Sequence, residues 1–195
     1  MKVAFQVEGS TDLIVLPILV RRILNIDIVP VHRQRRPGGV NAVFSTLESV
    51  AWEYWKSDTR GLVIVIDNDN NIPLHDQSHL PNGVPGCNYC QLSQKLPNLP
   101  SRRDLPQFAF AIGVAVESLE SWLLFGAQHS GKKREHQPEQ IKNNLKQMLY
   151  GTCRPDARTC KEICTPIAEN VDLLELSRAA PSFSFFRDSV LRLRI

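Results

Sequence analysis

The chain has 195 residues, of which 43% are hydrophobic and 22% are charged. This size and composition are typical of one globular domain and exclude a disordered or fibrous chain. The 23 Lys and Arg residues only slightly outnumber the 20 Asp and Glu residues, so the net charge of +3 neither requires nor excludes a polyanionic partner. The hydropathy pattern predicts no secretory leader and no membrane-spanning stretch, which favours a cytoplasmic protein without a membrane partner.

Three strands and two helices are predicted to alternate before residue 70. Val3, Phe5 and Val7 alternate with less apolar residues, which is typical of a strand. The unbroken β-branched and aliphatic run at 62–66 predicts a central strand that is buried on both faces. Spacing of the apolar residues places the strands at 2–7, 27–32 and 62–66, and the helices at 13–24 and 40–56.

Residues 72–106 interrupt this alternation. They hold six of the 13 prolines and predict an irregular insertion with one short helix at 90–96. A further strand is predicted at 108–116, followed by helices at 117–125, 138–149, 156–170 and 185–193. The order predicts a single α/β domain over 1–195, in which a mostly parallel sheet is flanked by helices. Its α/β core spans 1–127, with the Pro-rich insertion at 72–106 and a helical C-terminal extension at 137–195.

Six acidic residues lie at the predicted carboxyl ends of strands. Three of them directly follow a strand and three stand a few residues later, and they are Glu8, Asp67, Glu117, Asp12, Asp69 and Glu120. The carboxyl ends of parallel strands share one edge of the sheet, where ligands bind in open α/β folds. Grouped carboxylates without Cys or His favour Mg²⁺ or Mn²⁺, one or two ions of which would polarise a phosphoryl group and activate water.

Each of these acids also has a structural interpretation. Carboxylates at strand ends often cap helices or face water, and Asp12 stands where it could cap the helix beside it. What favours a shared site is the repetition of paired acids at three strand ends in chain order.

Two segments that carry these acids resemble motifs of the TOPRIM fold. This fold is shared by topoisomerases, bacterial primases, RNA-maturation nucleases, recombination mediators and OLD-type nucleases of phage defence. The matching sequences are VEGSTD at 7–12 and VIDND at 65–69. Two more segments are similar to small standalone TOPRIM-like proteins, often encoded beside ATPases. These are AVESLESWLL at 115–124 and SFSFF at 182–186.

The resemblance implies a Mg²⁺- or Mn²⁺-dependent hydrolase, a nuclease that cleaves nucleic-acid phosphodiesters in bacterial anti-phage defence, with a separately encoded ATPase as partner. Glu8, Asp67 and Asp69 are then the catalytic residues: Glu8 is a metal ligand or general base, and the two aspartates hold the first metal. Asp12, with Glu117 or Glu120, matches the acids that hold a second metal. The lysine that some relatives use has no assured counterpart, and Lys132, Lys133 and Lys161 are candidates.

Three arginines, Arg33, Arg35 and Arg36, follow the second predicted strand and precede a Gly-Gly pair. Residues 33–36 are called the arginine segment below. Guanidinium groups at this edge could bind the phosphates of DNA or RNA. The alternative is a solvated surface turn.

The insertion carries a second set of metal-binding residue types. His75, His79, Cys87 and Cys90 form H-x₃-H and C-x₂-C pairs at zinc-compatible spacing, in reversed order. Coincidence is the competing interpretation. The other three of the five cysteines, Cys153, Cys160 and Cys164, are predicted to be buried on a helix.

Two other functions stay open. A non-catalytic TOPRIM-like subunit would bind nucleic acid or an ATPase without cutting. Another Mg²⁺ phosphotransfer fold, such as a phosphatase, would normally carry Asp-x-Asp after its first strand, whereas this chain carries it after the third.

Overall fold

A computed structural model of the chain describes residues 1–32, 39–68, 84–100, 107–127 and 144–193. Over these ranges it has four strands: β1 (Lys2–Val7), β2 (Val29–Val31), β3 (Gly61–Asp67) and β4 (Ala109–Ala115). The helices described are α1 (Ser10–Leu24), α2 (Gly39–Trp55), α3 (Asn88–Lys95), α4 (Glu120–Ala127), α5 (Leu145–Tyr150), α6 (Ala157–Asn170), α7 (Leu173–Ala179) and α8 (Pro181–Leu191). Among them, none combines the length and the apolar character needed to cross a membrane.

The four strands form one sheet in the order β2-β1-β3-β4, and every pairing is parallel. Val7 pairs with Val65, and Asp67 pairs with Ala115, so the strands end at one edge. The predicted α/β class with a parallel sheet flanked by helices is confirmed. The strand order reverses between β1 and β3, and such a switch point is where open α/β sheets leave a crevice for ligands.

The helices lie on both faces of the sheet because the chain reverses direction at that point. Right-handed crossovers running in opposite directions put their helices on opposite faces. Val3, Phe5 and Val65 accordingly share a hydrophobic cluster with α1. Ala4 and Ile64 share the other cluster with α2 and α3. Since β3 contributes to both clusters, it is buried on both faces as predicted.

The C-terminal helices complete the α1 side of the core. The Trp122 ring of α4 stacks on Phe186 of α8, with centroids 5.5 Å apart, and meets Phe183 edge-on at 5.2 Å. Its indole N–H donates to the Ser182 hydroxyl at 3.0 Å. The two segments that resemble standalone TOPRIM-like proteins, 115–124 and 182–186, therefore pack against each other.

Several element bounds differ from the sequence prediction. Strand β2 has three residues instead of six, and Glu117 lies in a bend before α4 instead of starting the helix. Helix α8 begins at Pro181, which suits the first turn because its missing N–H is not needed there. Helix α7 was not predicted; it is capped by the Asp172 carboxylate, which accepts from two backbone amides. Cys153 is exposed in a bend, not buried on a helix.

Candidate functional site

Four carboxylates, those of Glu8, Asp12, Asp67 and Glu120, gather at the carboxyl edge of the sheet, near the ends of β1 and β3. The Asp67 backbone amide donates to Glu8 Oε1 at 2.8 Å, which ties the two strand ends together. Asp12 comes from the first turn of α1, and Glu120 is the first residue of α4. The charges of Asp12, Glu120 and Glu8 all raise the pKa of Asp67, so the four groups lie within electrostatic reach of one another.

The environment of Asp67 strongly disfavours its charged form. Burial, followed by repulsion from Asp12, Glu120 and Glu8, raises its pKa to about 9. The Leu119 backbone amide donates to Asp67 Oδ1 at 3.0 Å and partly offsets this rise, because it favours the charged form. The ionised form of Asp67 is therefore disfavoured unless a positive charge compensates it.

Asp12 combines a structural and an electrostatic role. Its Oδ2 accepts from the Gly9 backbone amide at 2.9 Å, closing the N-terminus of α1. Burial chiefly, with repulsion from Glu120 and Glu8, raises the pKa of Asp12 to about 7, although the Gly9 bond and the nearby Lys146 charge lower it. The hydrogen bond from Gly9 supports the capping interpretation of Asp12, and the same side chain also belongs to the acidic group.

Glu120 from the β4–α4 segment is among the leading electrostatic influences on both Asp12 and Asp67. Glu117 is buried at the centre of a tight turn, with φ of 62° and a Ser118 amide that donates to the Val116 carbonyl at 2.8 Å. This γ-turn redirects the chain so that the Leu119 amide reaches Asp67.

Helix α5 supplies two side chains that the sequence analysis missed. The charge of exposed Lys146 lowers the pKa of Asp12, so it is a cation beside the acidic group. The Tyr150 hydroxyl hydrogen-bonds to Glu120 Oε1 at 3.4 Å and to Cys164 Sγ at 3.3 Å. Burial raises the pKa of Tyr150 far above its ordinary value, which keeps it protonated. No motif marks either residue, and of the proposed lysines, Lys161 is exposed on α6.

The insertion contacts the segment that follows β3. Asn68 is buried, its amide donates to the Ala115 carbonyl at 2.8 Å, and its side chain accepts from Asn88 Nδ2 of α3 at 3.0 Å. The described part of the insertion therefore fixes the backbone immediately after Asp67.

Several predicted site residues lie outside the described parts of the chain: Asp69, Arg33, Arg35, Arg36, His75, His79, Lys132 and Lys133. Gly39 is the first described residue after the arginine segment, and it lies close to Glu8. A Cβ built on Gly39 would be 3.9 Å from Glu8 Oε2.

Cys87 and Cys90 lie together at the N-terminus of α3. Burial, with the neighbouring Cys90, raises the pKa of the Cys87 thiol, although backbone amides of Cys90 and Tyr89 donate to it. All five cysteines are free thiols. The zinc hypothesis stays a prediction, because its two histidines are outside the described ranges.

The donor chemistry of the acidic group fits a hard divalent cation, since partly or fully buried carboxylates that repel one another are stabilised by a positive charge. Their spacing is looser than that of a closed metal site. Within the described ranges, no three His, Cys, Asp or Glu side chains converge closely enough to hold a metal ion.

No family model, curated protein or solved structure matches the chain. The TOPRIM resemblance therefore stays an interpretation of short motifs.

Proposed function

We propose that the protein is a Mg²⁺- or Mn²⁺-dependent nuclease that hydrolyses phosphodiester bonds of DNA or RNA at the carboxyl edge of its sheet. The observation that carries this proposal is the group of Glu8, Asp12 and Asp67, which are half-buried, and Glu120, which is buried, at the carboxyl ends of β1 and β3. Such a group is costly to a fold that makes no use of it, because each buried charge loses hydration and repels the others.

Carboxylate oxygens suit a hard cation, and this donor set is the reason for choosing Mg²⁺ or Mn²⁺. Asp67, with Asp69 from the adjoining segment, would hold one ion, while Asp12 and Glu120 would hold a second. When bound, such ions polarise a phosphoryl oxygen and make a water molecule more acidic.

The protein's own side chains would then position the groups that react. Glu8 Oε1 accepts from the Asp67 amide, and Glu8 Oε2 lies near Gly39 at the start of α2, so Oε2 would be the oxygen that accepts a proton. Lys146 would balance the acid charge at Asp12 and attract phosphate. Arg33, Arg35 and Arg36 are proposed to orient the phosphates of the bound strand.

The cellular setting extends the proposal. The TOPRIM resemblance supports a role in anti-phage defence and action with a separately encoded ATPase, and the hydropathy of the sequence supports a cytoplasmic location.

The main test compares the wild-type protein with the Asp67→Asn variant. Asparagine keeps an oxygen that can accept from the Leu119 amide but removes the carboxylate, so the turn before α4 is preserved. We expect Mg²⁺- or Mn²⁺-dependent cleavage to fall by about a hundredfold or more, as when one electrostatic group of an active site is lost. The measurement is a gel assay on single- and double-stranded DNA and RNA, with EDTA as a blank.

The matched control is Asp58→Asn, an exposed aspartate that pairs with Lys2 away from the crevice. It should cut as the wild type does. Cleavage that is equal in wild type and Asp67→Asn, or absent from every substrate with and without the partner ATPase, would contradict the nuclease proposal.

A second candidate is a non-catalytic subunit that binds nucleic acid or an ATPase. It is favoured by the structural contacts of the acids, since Asp12 closes α1 and Asp67 accepts from the Leu119 amide. Retarded migration of the same substrates without any cleavage would support this alternative.

A further inference from the structure

We propose that an exposed basic surface on α5 and α6 binds the phosphate backbone of nucleic acid and holds the strand beside the acidic group. This surface, called the α5–α6 basic surface below, consists of Lys146, Arg154 and Lys161. The inference rests on the proposed function, since it takes nucleic acid as the ligand, but it involves no metal ion.

Positive charge is concentrated in this part of the chain. Residues 145–161 hold four basic residues and one acidic residue, Asp156. The Asp156 carboxylate is engaged as the cap of α6, where it accepts from the Thr159 amide at 2.7 Å. Arg158 pairs with Glu162 at 2.7 Å. Three exposed basic residues form no ion pair with any residue that the structure describes, and they are Lys146, Arg154 and Lys161. Their charges are therefore available to an anionic ligand.

Helix α6 begins at the edge of the sheet where the acids lie. Thr11, in the first turn of α1, donates to Cys160 Sγ near the start of α6 at 3.4 Å. Near the other end of both helices, Arg22 donates to the carbonyl oxygens of Ala168 and Val171, each at 2.7 Å. Helix α6 therefore runs beside α1 in the same direction, with its N-terminal end at the carboxyl edge of the sheet.

Two of the three cations belong to this end of α6. Lys161 directly follows Cys160, and Arg154 lies in the bend that precedes the helix. Thr11, the partner of Cys160, adjoins Asp12 in the chain. The N-terminal end of α6 is therefore next to the acidic group.

The third cation reaches the same place from α5. The Tyr150 hydroxyl hydrogen-bonds to Glu120 Oε1 at 3.4 Å and to Cys164 Sγ at 3.3 Å, so this end of α5 lies between α4 and α6. Lys146 stands four residues before Tyr150, which places it one turn away on the same face of α5. The α5–α6 basic surface thus borders the acidic group on the side of the C-terminal helices.

A strand of nucleic acid needs cations here in order to approach the acids. Grouped carboxylates repel phosphate, whereas Lys and Arg side chains bind phosphate oxygens through charge-assisted hydrogen bonds. Such contacts fix the position of a strand without reading its sequence. Nucleic acid suits this surface better than an acidic protein segment, because every nucleotide carries a charge and the surface adjoins the proposed site of hydrolysis.

The experiment measures binding of the full-length protein to fluorescein-labelled oligothymidylate and oligouridylate by fluorescence anisotropy, in EDTA and at several KCl concentrations. The test variant combines Lys146→Gln, Arg154→Gln and Lys161→Gln. We expect its affinity at low salt to fall about tenfold or more, because three phosphate contacts are lost. The slope of log K against log [KCl] should become less steep by about 2, since each contact with a single strand contributes about 0.7.

A matched variant removes the same charge from the opposite edge of the sheet. It combines Arg21→Gln at the end of α1, Lys56→Gln after α2 and Arg60→Gln before β3, all at exposed positions. Its affinity and slope should stay close to those of the wild type.

Two further variants test the charge itself. Lys146→Arg combined with Lys161→Arg keeps both positive charges and should bind as the wild type does. Lys161→Gln by itself should make the slope less steep by about 0.7, and it decides the matter if the triple test variant fails to fold.

The outcomes distinguish this inference from the proposed function. Wild-type binding in the test variant, or equal losses in the test and matched variants, would overturn the α5–α6 basic surface and leave the nuclease proposal intact, because cleavage tests that proposal. A wild-type protein that binds neither oligonucleotide, or that binds labelled polyglutamate as tightly as either of them, would also overturn the surface. Binding that is lost in the test variant, from a wild-type protein that never cleaves, would support the surface and contradict the nuclease proposal.

Discussion

Three of the four carboxylates of the acidic group accept a hydrogen bond from a backbone amide. Glu8 accepts from Asp67, Asp12 from Gly9, and Asp67 from Leu119. One oxygen of each side chain is thereby held, which restricts rotation of the carboxylate at a small net energetic cost. The capping and ligand interpretations of these residues are consequently compatible, because a carboxylate has two oxygens.

Glu117 offers a prediction at the same scale, because a side chain there carries backbone strain. Its φ of 62° lies in the left-handed region, which costs a residue with a Cβ about 1–2 kcal/mol. We compare Glu117→Gly with Glu117→Ala, since both remove the carboxylate and only one keeps the Cβ. The glycine variant should be more stable by about 1 kcal/mol in urea unfolding.

An alanine variant more stable than the glycine variant would contradict the proposal that Glu117 carries backbone strain. Elsewhere in a chain, alanine is usually the more stabilising of the two residues, since glycine loses more backbone entropy on folding. An alanine variant as stable as the glycine variant would therefore mean that the turn relaxes to accept a Cβ.

Strand β4 and helix α8 approach so closely that only glycine fits between them. A Cβ added at Gly113 would lie 2.8 Å from Phe186 Cδ2 and 3.2 Å from Phe186 Cγ. Phe186 is fully buried and stacked on Trp122, so it has little room to move away. The contact explains how α8, distant in sequence, lies against the sheet.

Gly113→Ala should destabilise the protein by about 1–3 kcal/mol, the usual cost of overpacking a core. In a Phe186→Ala background the added methyl occupies the vacated space, so the same change should be neutral or stabilising there. Urea unfolding of the four proteins measures this coupling. Equal losses in both backgrounds would mean that Phe186 is not the group that excludes a side chain at Gly113.

At the scale of the whole molecule, the acidic group sets the pH dependence of stability. The pKa of Asp67 is raised from 3.8 to about 9 and that of Asp12 from 3.8 to about 7. At a pH between the ordinary pKa of each carboxylate and its raised pKa, the folded state binds a proton that the unfolded state has released. The free energy of unfolding therefore falls as pH rises through that window, by up to about 1.4 kcal/mol per pH unit for each carboxylate.

Urea unfolding at several pH values in EDTA measures this slope. Asp67→Asn should flatten it, because asparagine does not titrate. Asp58→Asn should not, since the pKa of Asp58 is lowered by its hydrogen bond to Lys2 and its titration lies below the window. Saturating Mg²⁺ should raise stability most at the high-pH end. Stability that rises with pH across the window in EDTA would show that Asp67 is ionised in the folded protein.

The sequence by itself determined the α/β class, the four strands and the placement of Glu8 and Asp67 at a common edge. These follow from local apolar spacing and from the chain order of strands, both of which depend on nearby residues.

Only the tertiary structure decided which acids meet and what surrounds them. Glu120 acts electrostatically on Asp67, and Glu117 takes a left-handed conformation in the turn that follows β4. Lys146 and Tyr150 reach the same edge from α5, although no motif marks them. Local pattern encodes which residues are buried, whereas the meeting of side chains from distant helices depends on how those helices pack, and packing is a property of the whole fold.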